Sequence, residues 1–169
     1  MAMSTGNIYL IDGALKMKTL LAVVHAPSAN TQRLSGALET GAHHPDIEGI
    51  HCVCKSPQET VPEDILNADG IIIGTTENLG YMAGMTKDLF DRCYYAVLEQ
   101  KQGLPCALYV RAGHDGTGTQ RGIESIITGL RWRWVQPPLI LRGQWDNAFC
   151  DQVEELSTYM AASLENGLF

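Results

Sequence analysis

Three stretches of this 169-residue chain carry side chains whose types and spacing could hold a small polar ligand. The first is "HAPSANT", His25 to Thr31, which brings Ser28, Asn30 and Thr31 to the apparent start of a helix. Backbone N–H groups of a first helical turn lack partners, so an anion fits there. Capping the helix itself is the other use open to these hydroxyls. The second stretch, "GTTENLGYMAG" from Gly74 to Gly84, loses all periodicity and offers Thr75, Thr76, Glu77, Asn78, Gly80 and Tyr81. The third, "RAGHDGTGTQ" from Arg111 to Gln120, is a second glycine-rich passage opening into a helix. Neither a GxxxxGK[ST] phosphate loop nor a dinucleotide fingerprint is present. His114 and Asp115 lie together in a loop without a paired serine nucleophile, so Asp115 reads as loop-shaping rather than part of a triad. Glu77 reads as a hinge contact or solvated loop residue before it reads as an acid or base. No side chain is assigned a catalytic proton transfer.

The remaining reactive residues point away from metal and thiol chemistry. The five cysteines, Cys52, Cys54, Cys93, Cys106 and Cys150, have no disulfide-framework spacing and read as free thiols of a cytoplasmic protein. Cys52 and Cys54 sit two apart in an apparent strand, facing one way, unlike a CxxC pair at a helix start. The histidines at 25, 43, 44, 51 and 114 share no ligand spacing with paired cysteines, so no metal site is expected. "LRWRW" interleaves Arg131 and Arg133 with Trp132 and Trp134, a pattern found at nucleic-acid or membrane contacts. A net charge of −7 opposes a nucleic-acid surface and favours a strand edge or subunit contact for this segment. Together with Tyr94 and Tyr95, the two tryptophans suggest a homodimer surface.

Alternating elements must position these loops. Lys18 to Val24 reads as a central strand, followed by a helix with Leu34 and Leu38 on one face. Asp46 to Cys54 gives a second strand with Ile47, Ile50, Cys52 and Cys54 inward. A short helix follows, with Thr60 as its cap and Pro62 in its first turn. The unbroken apolar run Gly70 to Ile73 reads as a buried parallel strand, which a polar loop from Thr75 to Met85 joins to a helix. That helix carries Met85, Leu89, Phe90, Cys93 and Val97 inward. Leu104 to Val110 is a fourth strand, and Ile123, Ile126, Ile127 and Leu130 line the next helix. In "WVQPPLILRG" the adjacent Pro137 and Pro138 confine pairing to the later half of a fifth strand or place it at an edge. A last helix begins near Asn147 and stops at Gly167. Residues 1–16 form an amino-terminal tail or short extra element, with Ile8 to Ile11 its strand-like run, and Met17 is an alternative start. They lack a signal-peptide pattern, and no run approaches the roughly 20 apolar residues of a membrane span. Residues 17–169 then form one α/β domain. Its five-stranded parallel sheet is doubly wound in the order 2-1-3-4-5 with helices on both faces. In that order the three loops meet where the winding reverses.

On these segments the chain resembles the flavodoxin-like family of FMN-binding proteins, in particular its small NAD(P)H-dependent FMN reductase-like oxidoreductases. "SANT" resembles the family's Ser/Thr-x-Thr-Gly-Asn-Thr phosphate loop, with Ala29 where glycine is customary. "GTTENLGYMAGMTKDLFDR" is similar to the segment that lies against the flavin ring, with Leu79 where an aromatic is common. "AGHDGTG" resembles the loop that closes over ring and ribityl, preceded by Arg111 in place of a small residue. The resemblance implies FMN contacts at Pro27, Ser28, Ala29, Asn30 and Thr31, then at Thr75, Thr76, Glu77, Asn78, Leu79, Gly80 and Tyr81. It extends them to Ala112, Gly113, Asp115 and Gly116. The implied function is an oxidoreductase that takes electrons from NAD(P)H and passes them to a quinone or similar acceptor. A non-enzymatic electron carrier for a redox protein stands beside it, as does a binding module with a weakened flavin site.

Overall fold

The computed structural model describes residues 10, 11, 14, 15 and 17–169, with side chains from Met17 onward. Of the expected amino-terminal element, Ile8 and Tyr9 lie outside the described residues. β1 (Leu10–Ile11) and β2 (Ala14–Leu15) form a two-residue antiparallel pair.

The next elements are β3 (Lys18–Val24), α1 (Ala29–Ala42), β4 (Ile50–Lys55), α2 (Pro62–Leu66) and β5 (Gly70–Asn78). Then come β6 (Tyr81–Met82), α3 (Gly84–Val97), β7 (Pro105–Ala112), α4 (Thr117–Leu130), β8 (Arg133–Trp134), β9 (Leu139–Arg142) and α5 (Ala148–Glu165). The main path of the sheet runs β4-β3-β5-β7, with β8 and β9 both parallel to β7 at the outer edge. Counted as five parallel strands this is the order 2-1-3-4-5. Alternating side chains feed two cores. Leu21, Val23, Ile71, Ile73, Leu108 and Val110 pack with α3 and α4, through residues such as Leu89, Phe90 and Ile123. Leu20, Ala22, Ile72 and Tyr109 pack with α1 and α5, through Leu34, Leu38, Leu156 and Met160. Tyr109 crosses to its strand neighbour Gly74, where a Cβ would lie 2.3 Å from the tyrosine ring.

Several local expectations change. The second strand begins at Ile50, and Asp46 to Gly49 belong to the preceding connection. Thr60 turns back to donate to the Ser56 carbonyl at 2.8 Å, and Val61 takes the cap position of α2 instead, its N–H reaching the Asp64 carboxylate at 2.9 Å. Asn147 occupies the cap position of α5 without capping it, and the Asp146 carboxylate accepts the Ala148 N–H instead. Met85 is exposed and Ile126 half-buried, whereas the rest of their helical faces are buried as expected. The prolines lie at a sheet edge, one of the two outcomes expected, but pairing is not confined to the later half, since Arg133 and Trp134 also pair with β7. β7 advances four residues, Pro105 to Tyr109, while the outer strand advances six, Arg133 to Leu139, so the edge splits around Pro137 and Pro138. Trp132 is buried, which removes it from the exposed aromatic surface expected there, and Tyr94 is half-buried over Gly129.

A candidate ligand crevice at the carboxyl edge of the sheet

β3, β5 and β7 are adjacent and parallel, so the segments leaving their carboxyl ends lie side by side. His25, the first residue past β3, donates its N–H to the Gly74 carbonyl at 2.9 Å. Burial holds the His25 imidazole below its ordinary pKa.

The first loop ends in a closed hydroxyl pair. Ser28 caps α1, its Oγ accepting the Thr31 N–H at 3.2 Å, and Thr31 Oγ1 accepts the Ser28 N–H at 2.9 Å. Thr31 is buried, while Pro27, Ser28, Ala29 and Asn30 are exposed. The first intrahelical bond runs from Gln32 to Ser28, which leaves the Ala29 and Asn30 N–H groups without partners among the described residues. No acidic residue stands in this turn. A capping hydroxyl pair and open N–H donors therefore coexist at one helix start.

The second stretch is not the irregular loop its composition suggests. β5 continues to Asn78 and folds back through a two-residue turn into β6, pairing Glu77 with Met82 and Asn78 with Tyr81. Both turn residues have positive φ, 53° at Leu79 and 76° at Gly80, as a type I′ hairpin requires. Strand alternation sorts the polar side chains. Thr75 points into the core, where its hydroxyl bonds that of buried Thr86 at 2.8 Å. Its side chain is thereby removed from any ligand. Thr76 donates to the Asn78 side-chain Oδ1 at 2.8 Å on the outer side. Leu79, Tyr81 and Met85 are left as an exposed apolar group at the hairpin and the start of α3.

The hairpin is seated on α4. A Cβ on Gly118 would fall 1.9 Å from the Gly80 carbonyl oxygen, and one on Gly122 would fall 2.6 Å from the Tyr81 ring. These two glycines carry weight that the sequence reading missed, although their GxxxG spacing is a recognisable signal for close approach. Glu77 makes the polar counterpart of that seat, accepting the His114 N–H at 2.9 Å and the Gly116 N–H at 2.8 Å. Of the third stretch, Ala112 and Gly116 are buried, and Gly113, His114 and Asp115 are exposed. Asp115 accepts the Thr117 N–H at 3.0 Å, which holds its carboxyl below the usual range. Asp115 is loop-shaping, as expected. Arg142 Nε donates to the Asp115 carbonyl at 2.7 Å. Arg111 turns to the opposite side, donating to the carbonyls of Ala112, Leu141 and Gly143 and stacking over Phe149. It ties β7 to β9 and α5.

The two helix starts at this edge differ in charge. α4 begins among the Glu77 and Asp115 carboxylates, whereas α1 begins with neutral hydroxyls and open donors. An anionic group is therefore favoured at α1. Outside the crevice, burial pushes the thiols of Cys52 and Cys106 up to about 12, so both are protonated and inert at neutral pH. Among the described residues no cluster of three or more metal-ligating side chains occurs, and no helix is long and apolar enough to cross a membrane.

Comparison with known proteins agrees with this geometry. No family model matches the chain. It is 26% identical over 114 residues to a flavodoxin of Aquifex aeolicus, a match spanning 68% of this chain and 60% of that relative's length. A flavodoxin from the domain Archaea superposes with a TM-score of 0.73 at 15% identity, covering 86% of this chain and 98% of that one. Rubredoxin oxygen:oxidoreductase from Desulfovibrio gigas also superposes at 0.73, with 12% identity, 90% of this chain and 38% of that much longer one. With its 2-1-3-4-5 order and three segments meeting at the reversal of winding, this chain has the flavodoxin-like fold.

Proposed function

We propose that the crevice binds FMN and that the chain is a cytoplasmic FMN-dependent oxidoreductase, reduced by NAD(P)H and passing electrons to a quinone or similar small acceptor. The observation that carries the reading is the start of α1, with two open N–H groups, neutral hydroxyls and no carboxylate beside the strand edge where winding reverses. The residues fit the group. Ser28, Ala29, Asn30 and Thr31, next to Pro27, would hold the phosphate through helix N–H groups and hydroxyls. Thr76, Asn78, Leu79, Gly80 and Tyr81 on the hairpin, with Gly113 and its neighbours in the third loop, would flank the ring. Gly113 has nothing within 4 Å of an added Cβ, so that side of the loop has room. Bound FMN supplies the electron storage, and the protein supplies orientation, exclusion of water and the electrostatic setting.

A second reading, an electron carrier for a redox protein, is favoured by the exposed Leu79, Tyr81 and Met85 beside the crevice, an apolar rim of the kind a protein partner covers. Steady-state oxidation of NAD(P)H in the presence of FMN separates the two, since the carrier does not turn over the nucleotide. A homodimer is proposed as the working form; light scattering that returns 18.5 kDa at micromolar concentration would remove it.

The cradle is tested by Ser28→Ala combined with Thr31→Ala. Hydrogen bonds to a charged group are worth about 1.5–3 kcal/mol each, so FMN affinity falls by about tenfold or more. The same change removes the helix cap, at a cost of about 1 kcal/mol in stability. Riboflavin, which has no phosphate, is therefore the control, and its affinity stays near that of the parent. Fluorescence titration of both flavins against both proteins reads the contrast. An FMN affinity unchanged by the double substitution places the phosphate elsewhere.

A further inference from the structure

We infer that Glu77 is a positioning residue, whose carboxylate latches the third loop to the β5–β6 hairpin so that both flank the crevice as one unit. The inference rests on the FMN reading above and changes the role of Glu77 within it, from cofactor contact to support. Both of its oxygens are already engaged, one with the His114 N–H at 2.9 Å and the other with the Gly116 N–H at 2.8 Å. Those donors bracket Asp115, so the carboxylate spans the tip of the loop. Gly116 adopts a left-handed φ of 71° at the start of α4, a conformation open to glycine, and the carboxylate takes up its N–H there. From the far side Arg142 donates to the Asp115 carbonyl at 2.7 Å, so the loop is gripped from β5 and β9 together.

The latch also accounts for the hairpin's own placement. Gly118 and Gly122 let the Gly80 carbonyl and the Tyr81 ring settle onto α4, which fixes the hairpin laterally. Glu77 lies three residues before Gly80 and ties the same hairpin to the residues just before α4. Without the carboxylate, two donors at the loop are released and the loop gains freedom beside the ring. A ligand that needs both walls must then order one of them on binding.

Two variants and two kinds of measurement test this. Glu77→Ala removes both acceptors, while Glu77→Gln keeps one oxygen and replaces the other with a donor. In flavin-free protein, amide hydrogen exchange at His114 and Gly116 is expected to speed up by about tenfold or more in Glu77→Ala, with Glu77→Gln intermediate. Amides of β3 and β5 serve as the folding control and keep their protection. FMN and riboflavin are both expected to lose about tenfold in affinity in Glu77→Ala, alike because the phosphate cradle is untouched. The visible circular dichroism of bound flavin changes with them and returns part of the way in Glu77→Gln. Unchanged exchange at His114 and Gly116 would overturn the latch. Faster exchange with unchanged affinity for both flavins would overturn its positioning role. If the parent chain binds neither flavin, the FMN reading falls and the positioning role with it, while the exchange data still decide whether the carboxylate holds the loop.

Discussion

Leu79 is the residue at which local energetics and surface chemistry disagree most openly. Its φ is 53°, in the left-handed region that costs a branched L-residue about 1–2 kcal/mol, and its side chain is 107% exposed, so no packing offsets that cost. Asparagine ahead of glycine is the preferred pair for a type I′ turn. Leu79→Asn is therefore expected to raise stability by about 1 kcal/mol, read as a higher urea midpoint at unchanged slope. If it also weakens flavin affinity, the leucine is kept for contact with the ring or a partner, since stability alone argues against it. A contrasting residue is Tyr109, buried with its hydroxyl unpartnered among the described residues, where burial raises the pKa far above the ordinary phenol value. Its ring is needed to fill the space that Gly74 leaves open.

At the scale of elements, the hairpin and α4 are joined by backbone approach as much as by side chains. Gly118→Ala places a methyl group 1.9 Å from the Gly80 carbonyl, which no side-chain rotation can relieve. The hairpin must lift, and a loss of about 1–3 kcal/mol is expected from such overpacking. Gly113→Ala, with nothing within 4 Å, is the control and stays near the parent in the same urea titration. The hairpin also shows what a sequence reading can and cannot see. Strands β3, β5 and β7 are legible because apolar runs such as Ile71 to Ile73 report burial locally. The extension of β5 through Thr75 and Thr76 is not, because it depends on pairing with Val110 and Arg111 of β7, a contact remote in sequence. Asn147 is a similar case. Its type fits a helix cap, but its side-chain oxygen is taken by Arg33 and Trp145. The proposed cradle residues Ser28, Asn30 and Thr31 could be nominated from sequence because a strand end, a hydroxyl pair and a helix start are adjacent in the chain. Glu77, Gly118 and Arg142 act through partners that only the fold brings near.

The whole molecule couples these loops to pH. His25 stands where β3 enters the crevice, and burial lowers its pKa from 6.5 in the folded state. The unfolded chain therefore binds this proton at higher pH than the folded chain does. Where the unfolded state holds more protons, stability rises with pH. The urea midpoint is expected to be level above neutrality and to fall as pH drops below about 6.5, and His25→Asn should remove that portion of the slope. A separate acid window belongs to Asp64. Burial raises its pKa, but the Lys55 hydrogen bond at 2.7 Å and the Val61 N–H outweigh it, so the net shift is downward. Its stabilisation is present above the ordinary 3.8 and is lost as pH falls through the lower folded value.

The proline break in the outer strand has a consequence for how copies of this chain meet under stress. Every open sheet has two rims that can template a strand from another molecule. On the β8–β9 rim, two residues and then four are interrupted by Pro137 and Pro138, which carry no N–H to offer an incoming strand. The β4 rim runs unbroken for six residues from Ile50 to Lys55. Among the described residues the sheet is therefore guarded on one side and open on the other, and cross-strand aggregation on partial unfolding is expected to start from β4.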